Sequence, residues 1–183
     1  GEFEYTKGCL GIPGVDDAGE FGRVLQGMLS LGFTAEDRSS LLQTLAAVLH
    51  LGNLTFTPCT RDNQDGVAIN DEEQVALICS LLGVESQQLH CALEYKTLED
   101  PLTKKTILMP HDLVSSSYTR HSMAKAVYAR LFDWLVCRIN ANLPANGSTP
   151  EQMRRIGLLD IYGFEIFDWN SFEQLCINFA NEK

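Results

Sequence analysis

Two residues near the end of the chain, an aspartate and a glycine, have types and a spacing that suit chemistry on a metal-bound phosphate. Residues 156–162 are nearly all apolar, which predicts a central-sheet strand near 155–162, and Asp160 interrupts that run just before Gly163 and Glu165. A carboxylate at a strand end can orient the water shell of a magnesium ion, and a glycine amide can approach a phosphate without a Cβ in the way. The alternative is an Asp that caps a turn, a Gly that ends a strand and a Glu that is solvated. Spacing alone leaves both interpretations open.

Helices are predicted to position this run, because apolar residues recur at helical spacing along most of the chain. Thr34 and Ser86 are placed to cap two of the helices, and Gly83 is placed to end one. Ser171 and Gln174 have the spacing of a capping box at the start of the last helix. The predicted helices span about 17–31, 34–52, 71–82, 86–93 and 113–142, with the last one opening at 170.

The segments between the helices are predicted to be short strands and loops. A short strand is predicted at 54–56, and exposed loops are predicted at 58–66 and 143–152. Pro101 and Pro110 exclude a continuous helix between the fourth and fifth helices.

Composition and charge narrow the class of protein. The 183 residues, 45% hydrophobic and 21% charged, are typical of one globular domain. The net charge of −10 argues against nucleic acid or an anionic membrane as the main partner, and no apolar run approaches the roughly 20 residues of a membrane span. Six scattered cysteines favour a reducing compartment over a disulfide framework. Basic residues cluster in the middle of the chain: Lys96, Lys104, Lys105, Arg120, Lys125 and Arg130.

The last residues point to a candidate family. The sequence DIYGFE at 160–165 resembles the switch II motif of myosins, and FDWNSFEQLCINFANEK at 167–183 resembles the start of the myosin relay helix. Three upstream stretches are similar to other parts of the myosin motor domain and follow in the family's order: GVDDAGEF at 14–21, LAAVLHLGNLTF at 45–56 and MAKAVYARLFDWLVCRIN at 123–140. The resemblance therefore covers essentially the whole chain.

The resemblance implies an α/β P-loop NTPase-like motor fold, of which this chain is a predominantly helical part. Residues 1–112 would form a helical upper subdomain with an actin-facing loop near 94–111, and residues 113–142 would form one long helix. Residues 155–165 would supply a strand and switch II, and residues 170–183 the start of the relay helix. The chain has no initiator Met and stops inside a predicted helix, so we expect an internal piece of a longer protein.

The resemblance also implies a role for each residue of the candidate phosphate site. Asp160 would contact magnesium through its water shell, and Gly163 would offer its amide to the γ-phosphate of ATP. Glu165 would pair with an arginine of switch I and help to position the attacking water. ATP and Mg²⁺ are the implied ligands. The phosphate loop GxxxxGK[ST] and switch I are missing from these residues, so we expect this piece alone to be inactive.

Further implied contacts link the phosphate site to movement and to actin. Phe164 would pack at the moving hinge, and the helix opened by Ser171 and Phe172 would relay closure toward a lever arm. Lys104 and Lys105 would face the actin filament.

Two positions depart from the family pattern. Counted without gaps, Lys105 stands where many myosins carry an acidic or phosphorylatable residue, which puts in doubt the control of actin affinity by a negative charge there. His121, in RHSMAK, departs from the commoner RDALAK-like pattern.

The resemblance therefore implies part of an actin-activated, magnesium-dependent ATPase that moves along actin filaments in the cytoplasm. Its partners would be actin and ATP, with light chains or calmodulin only on a neck outside this piece; nucleic acid and direct membrane insertion are not expected. Two alternatives remain. An ATPase-inactive pseudo-motor would bind actin or act as a scaffold, and an unrelated helical binding module would match switch II by chance.

Overall fold

The computed structural model describes residues 3–61, 64–102, 104–143 and 156–182. The chain divides into two compact units, 1–144 and 145–183. Apart from its first residue, the predicted loop at 143–152 lies outside the described residues. The elements of the first unit are α1 (Asp17–Ser30), α2 (Ala35–Asn53), β1 (Phe56–Arg61), β2 (Gln64–Ile69), α3 (Glu72–Leu82), α4 (Ser86–Glu94), β3 (Tyr95–Glu99), β4 (Thr106–Pro110) and α5 (Leu113–Asn142). The second unit contains α6 (Phe172–Asn181).

The predicted helices form, and acidic or hydroxyl side chains cap the first turns of α1, α2, α3 and α5. Thr34 caps α2 in a capping box, in which Asp37 N donates to Thr34 Oγ1 over 3.0 Å and Thr34 N donates to Asp37 Oδ2 over 2.9 Å. Asp112 caps α5, which has the predicted bounds, by accepting from an amide of its first turn over 2.7 Å. In α4 the cap residue is Glu85 and not Ser86. No helix among the described residues is long and apolar enough to cross a membrane.

A β-hairpin replaces the exposed loop predicted at 58–66. β1 and β2 pair antiparallel, with Phe56 opposite Ile69 and Pro58 opposite Val67. The loop prediction was wrong because polar residues and a proline are also typical of the edge strands of a two-stranded sheet. The buried side chains that anchor the hairpin, Val67 and Ile69, lie just beyond the predicted loop.

A second hairpin occupies the non-helical segment before α5. β3 follows α4 without a loop and pairs antiparallel with β4. At the base of the hairpin, His111 N donates to Glu94 O over 2.8 Å. At its tip, Lys104 has a positive φ of 56°, and its N–H donates to Asp100 O over 2.8 Å. The hairpin is therefore closed by backbone hydrogen bonds at both ends.

The main core of the first unit lies among α2, α3, α4 and α5. Burying one aliphatic side chain contributes about 1.5–3 kcal/mol relative to leaving it exposed, so this cluster dominates the stability of the unit. Its buried members are Leu51, Leu54, Ile69, Val75, Ile78, Cys79, Leu89, Leu93 and Ala124. A second cluster joins α1 and α2 to the later turns of α5 through Met28, Phe33 and Leu41, packed against Leu131, Leu135 and Ile139.

The strand predicted near 155–162 does not form among its described residues, 156–162. Residues 156–166 of the second unit belong to no helix or strand, and Ile156, Leu158 and Leu159 are 91%, 95% and 84% exposed. A central parallel strand needs hydrogen-bonded neighbours, and the sheets of the described residues are two antiparallel hairpins. The described part of the chain is thus helical with two small sheets, and the central sheet of the expected P-loop NTPase-like fold is not among its elements.

Gly52 of α2 permits a close contact with Tyr5. A Cβ at Gly52 would lie 2.9 Å from the Cδ2 and Cε2 atoms of the Tyr5 ring. The ring is also held from α5, because the Tyr5 hydroxyl is hydrogen-bonded to His121 Nδ1 over 2.9 Å. By contrast, a Cβ at Gly22 of α1 would meet no described atom within 4 Å. The two glycines therefore differ in packing and not in secondary structure.

We expect Gly22→Ala to raise the free energy of unfolding by roughly 0.5–1 kcal/mol, because alanine favours a helix over glycine. Gly52→Ala should show no such gain and should destabilise by about 1 kcal/mol or more, because the new methyl group displaces the Tyr5 ring. Urea denaturation followed by circular dichroism measures both effects. In a Tyr5→Ala background Gly52→Ala should become stabilising. Equal gains from both single variants would contradict the contact.

Candidate functional site

The candidate phosphate residues lie in an extended segment of the second unit. Asp160 and Gly163 are exposed, and Glu165 is half-buried. The φ angle of Gly163 is not positive, and a Cβ there would meet no described atom within 4 Å. Neither backbone strain nor packing within the described residues therefore requires a glycine at this position. The space that a side chain would fill at Gly163 is empty among the described residues.

Amide side chains of α6 hold this extended segment by its backbone. Asn178 bonds both polar groups of one residue, since Glu165 N donates to Asn178 Oδ1 over 3.0 Å and Asn178 Nδ2 donates to Glu165 O over 2.7 Å. One turn later, Asn181 Nδ2 donates to Gly163 O over 3.0 Å. Together with Gln174, these residues occupy positions i, i+4 and i+7, which share one face of a helix. We call Gln174, Asn178 and Asn181 the amide ladder.

Gln174 does not form the capping box predicted with Ser171. Ser171 is the N-cap residue of α6, but its side chain makes no capping hydrogen bond. Gln174 Nε2 instead donates to Asn178 Oδ1 over 3.2 Å and to Glu165 Oε2 over 3.4 Å. The prediction failed because a glutamine has a competing use here, as the bridge between the Glu165 carboxylate and the rest of the amide ladder.

The aromatic residues expected at the hinge and at the start of the relay helix are exposed. Phe164 is 56% exposed and Phe172 is 75% exposed. Between them, Asn170 closes a short turn, because Phe167 N donates to Asn170 Oδ1 over 3.1 Å and Asn170 Nδ2 donates to Phe167 O over 2.6 Å. This turn sets the direction in which the chain enters α6.

The two lysines expected to face actin lie at the tip of the second hairpin, in the first unit. Lys104 and Lys105 are exposed, and Lys104 Nζ lies 3.4 Å from Glu99 Oε1. An exposed pair of this kind contributes little to stability, so the charge stays available to a partner. Leu102, beside them, is 92% exposed. The tip is therefore both basic and apolar, which the charge pattern alone did not indicate.

His121 links α5 to the first described residues of the chain. Its Nδ1 is bonded to the Tyr5 hydroxyl over 2.9 Å, and its Nε2 accepts from Arg120 Nη2 over 2.8 Å. Arg120 Nη1 also donates to the backbone oxygen of Leu54. Burial lowers the pKa of His121, and the positive charges of Arg120 and Lys125 lower it further. His121, which departs from the family pattern, thus provides an acceptor for Arg120 and a contact for Tyr5.

Comparison with known proteins identifies the family. The model of the myosin head (motor domain) family matches residues 1–183. The chain belongs to this family. It is 41% identical over 187 residues to the myosin IE heavy chain of Dictyostelium discoideum, covering 99% of the chain and 18% of the relative. It is 42% identical over 175 residues to a Myosin-1 of Pyricularia oryzae and 40% identical over 178 residues to a Myosin-1 of Aspergillus niger, covering in each case 96% of the chain and 14% of the relative.

The match confirms the prediction that this chain is part of a myosin motor domain. The chain spans less than a fifth of the length of these curated relatives. Within this myosin segment, the amide ladder is the feature that the sequence reasoning missed. The sequence did contain a signal for it. Three amide residues at i, i+4 and i+7 form one polar stripe on an amphipathic helix, and a helix face that only meets solvent does not need three amides in line.

The amide ladder leads to a prediction for this myosin segment. We expect Asn178→Ala to increase the amide exchange of residues 163–166 at least about fivefold, because it removes two hydrogen bonds to Glu165 of about 0.5–1.5 kcal/mol each. Cys176→Ala is the matched control, since Cys176 is exposed on the same helix and lies outside the amide ladder. Hydrogen–deuterium exchange read by mass spectrometry measures both. Equal exchange in the two variants would show that the ladder does not restrain the segment.

Proposed function

We propose that this chain supplies switch II and the start of the relay helix of an actin-based motor, which couples the hydrolysis of Mg-ATP to movement along actin filaments. The observation that carries the proposal is the amide ladder, because it connects the backbone of Gly163 and Glu165 directly to α6. A ligand that displaces Gly163 on binding would therefore displace α6 with it. Membership of the myosin head family supports the motor class. Nothing in the described residues favours an ATPase-inactive or scaffold function.

The residues of the segment fit a magnesium-bound phosphate. Asp160 presents an exposed carboxylate, which Mg²⁺ accepts directly or through water, and the open space beside Gly163 admits a phosphate oxygen to its amide. Bound Mg-ATP would supply the γ-phosphoryl group that is transferred to water. The affinity for ATP would come mainly from a phosphate loop elsewhere in the protein, because no GxxxxGK[ST] sequence occurs among the 183 residues.

Glu165 is proposed to act by changing partners. Its carboxylate accepts from Gln174 over 3.4 Å, a long hydrogen bond that is lost at little cost. When the segment closes, the carboxylate would pair with an arginine of switch I and position the attacking water. Positioning and charge stabilisation of this kind are the main sources of rate in phosphoryl transfer, since the protein does little covalent chemistry there.

The relay function is proposed for the residues between the phosphate site and α6. Asn181 and Asn178 would pass a displacement of the segment to the helix through their hydrogen bonds. Phe164, Ser171 and Phe172 would move with the start of the helix. Because both phenylalanines are exposed among the described residues, their apolar partners would come from other parts of the motor.

The tip of the β3–β4 hairpin is proposed to contact actin. Lys104 and Lys105 supply positive charge toward the acidic filament, and exposed Leu102 supplies apolar area. Charge at the rim of an interface raises the association rate, while buried apolar area contributes to affinity. Light chains or calmodulin would bind only to a neck outside this chain. The proposed location is the actin cytoskeleton of the cytoplasm.

Substitution of Glu165 tests the hydrolysis step. In the intact motor, Glu165→Ala should leave ATP binding largely in place and lower the hydrolysis burst by about 10²–10³-fold, because a positioned charge is lost. Quenched-flow bursts and nucleotide-binding transients measure the two steps. Asp168→Ala, which removes an exposed acid from the same unit, should leave both unchanged. A normal burst in both Glu165→Ala and Gly163→Ala would refute the switch II assignment.

A charge reversal tests the actin-facing tip. The double variant Lys104→Glu, Lys105→Glu should weaken actin binding about tenfold or more at low salt and reduce its salt dependence, because opposite-charge attraction becomes repulsion. ATPase activity without actin should stay the same. Cosedimentation with actin across ionic strengths gives the affinities. Lys7→Glu is the control, an exposed lysine at the start of the chain. If the double variant and the Lys7→Glu control both bound actin as the unmodified motor does, the hairpin tip would not be an actin contact.

A further inference from the structure

The residues that precede α1 are attached to α2 and α5 around one imidazole. We call residues 3–16 the leading segment. His121 of α5 holds this segment through its Nδ1, which lies 2.9 Å from the Tyr5 hydroxyl. The same tyrosine ring packs on Gly52 of α2, where a Cβ would lie 2.9 Å from two ring carbons. We call Tyr5, Arg120 and His121 the imidazole cluster.

The partners of His121 determine which of its two nitrogens carries the proton. Arg120 Nη2 lies 2.8 Å from His121 Nε2, and a guanidinium nitrogen can only donate. Nε2 is therefore unprotonated, and the single proton of the neutral ring is on Nδ1, which donates it to the Tyr5 hydroxyl. A protonated ring has an N–H on both nitrogens and offers Arg120 no acceptor in any orientation. The observed contact thus requires the neutral ring.

Arg120 cannot easily withdraw from a protonated His121. Its Nη1 donates to the backbone oxygen of Leu54, where α2 ends. Its Nε is buried and has no hydrogen-bond partner among the described residues. An arginine keeps its charge throughout the pH range of a folded protein. Protonation of His121 would therefore place two positive charges within hydrogen-bond distance of each other, and they would repel.

The charges around the ring also oppose its protonation. Arg120 and Lys125 of α5 disfavour the charged ring, whereas Glu4 of the leading segment favours it and has the smallest effect of the three. Burial raises the pKa of the Tyr5 hydroxyl, so Tyr5 stays neutral and supplies no negative charge. The remaining side chains that line the cavity of about 440 Å³ beside the ring are aliphatic or carry a hydroxyl: Val48 of α2, and Tyr118, Ser122, Ala124 and Tyr128 of α5.

The direction of the pH effect follows from these contacts. Burial lowers the pKa of His121 from its ordinary value of 6.5, and Arg120 and Lys125 lower it further. A histidine whose pKa is depressed on folding stabilises the fold fully above its unfolded pKa, and this contribution is lost as pH falls through the folded pKa. The contact is therefore intact at neutral and alkaline pH, and it opens at mildly acidic pH, below 6.5.

We propose that the imidazole cluster is an acid-sensitive attachment between the leading segment and helices α2 and α5. At neutral pH the ring joins Arg120 to Tyr5. A proton on Nε2 repels the guanidinium, and as the ring turns away its bond to the Tyr5 hydroxyl breaks. The tyrosine ring then leaves Gly52, and the leading segment detaches. This attachment goes beyond the proposed motor function and does not depend on it.

Hydrogen exchange of the intact motor between about pH 5.5 and 7.5 tests the attachment. Protection factors, corrected for the intrinsic pH dependence of amide exchange, are measured for peptides covering 3–10. One amide there, Glu4 N, donates to Asn53 Oδ1 of α2 over 2.9 Å. We expect protection to fall about fivefold or more as pH falls, because the segment is freed. Residues 131–142 of α5 should keep their protection. A flat profile for 3–10 would overturn the proposal.

Three variants assign the effect to His121. His121→Gln keeps an acceptor for Arg120 but cannot be protonated, so it should keep the high protection at every pH. His121→Lys, which is charged over the whole range, should show the low protection even at the highest pH. His50→Gln removes the imidazole whose centroid lies 5.1 Å from that of the Phe3 ring, and it should keep the full pH profile. A profile that persists in His121→Gln, or is lost in His50→Gln, would overturn the assignment.

The proton on the ring can also be observed directly. Long-range proton–nitrogen NMR spectra of the intact motor with isotope-labelled histidine report the tautomer and the titration of each ring, and His121→Gln identifies the signal. We expect His121 to carry its proton on Nδ1 when neutral and to titrate below 6.5. A neutral ring with its proton on Nε2 would contradict the contact with Arg120 and overturn the proposal.

Discussion

The packing of α2 against α5 and α3, with α4 against those same two helices, is the interaction on which the first unit depends. Two-stranded hairpins are marginal in water by themselves, and short helices such as α4, with 9 residues, are marginal too. Each becomes stable here because one face reaches the shared core: Ile69 from the first hairpin, Leu93 from α4 and Ala124 from α5. The hairpin tip that we assign to actin is therefore only as well positioned as this core.

The second unit has a different physical basis. Its extended segment exposes Ile156, Leu158 and Leu159, and its described order comes from hydrogen bonds between backbone groups and the amides of α6. A segment held by a few hydrogen bonds, without buried apolar contacts, belongs to the low-stability parts of a protein from which moving elements are drawn. This suits the switch II role that we propose for the segment.

Long periodic patterns could be predicted from the sequence, and contacts between distant residues could not. α5 was predicted with its observed bounds because its apolar stripe repeats over many turns, from just after Pro110 to the predicted loop at 143–152. The hairpin at 56–69 was missed because its edge residues look like a loop. Glu94 gave no signal at all, since a glutamate at a helix end is usually solvated. Its hydrogen bonds to Ile69 and His111 join residues that are distant in the chain.

The candidate site also has a part that could be predicted from the sequence and a part that could not. The motif at 160–165 is a local pattern, so its residue types could be recognised directly. The central strand expected to carry it depends on neighbouring strands that are not among the described residues, so an apolar run was not sufficient to produce one. At Gln174 a local pattern was misleading, because its side chain contacts Glu165 and does not form the predicted capping box.

The length of α5 has a geometric consequence. Its 30 residues extend about 45 Å at 1.5 Å per residue. It begins just beyond the base of the second hairpin, and its last residue, Asn142, lies beside Gly32 in the turn between α1 and α2. A straight rod of this length converts small angles into large displacements, and a tilt of about 5° about one end moves the other by about 4 Å. A reorientation of that size at the hairpin base would thus shift the opposite end of the unit by about 4 Å, somewhat less than the ~5.4 Å pitch of one helical turn.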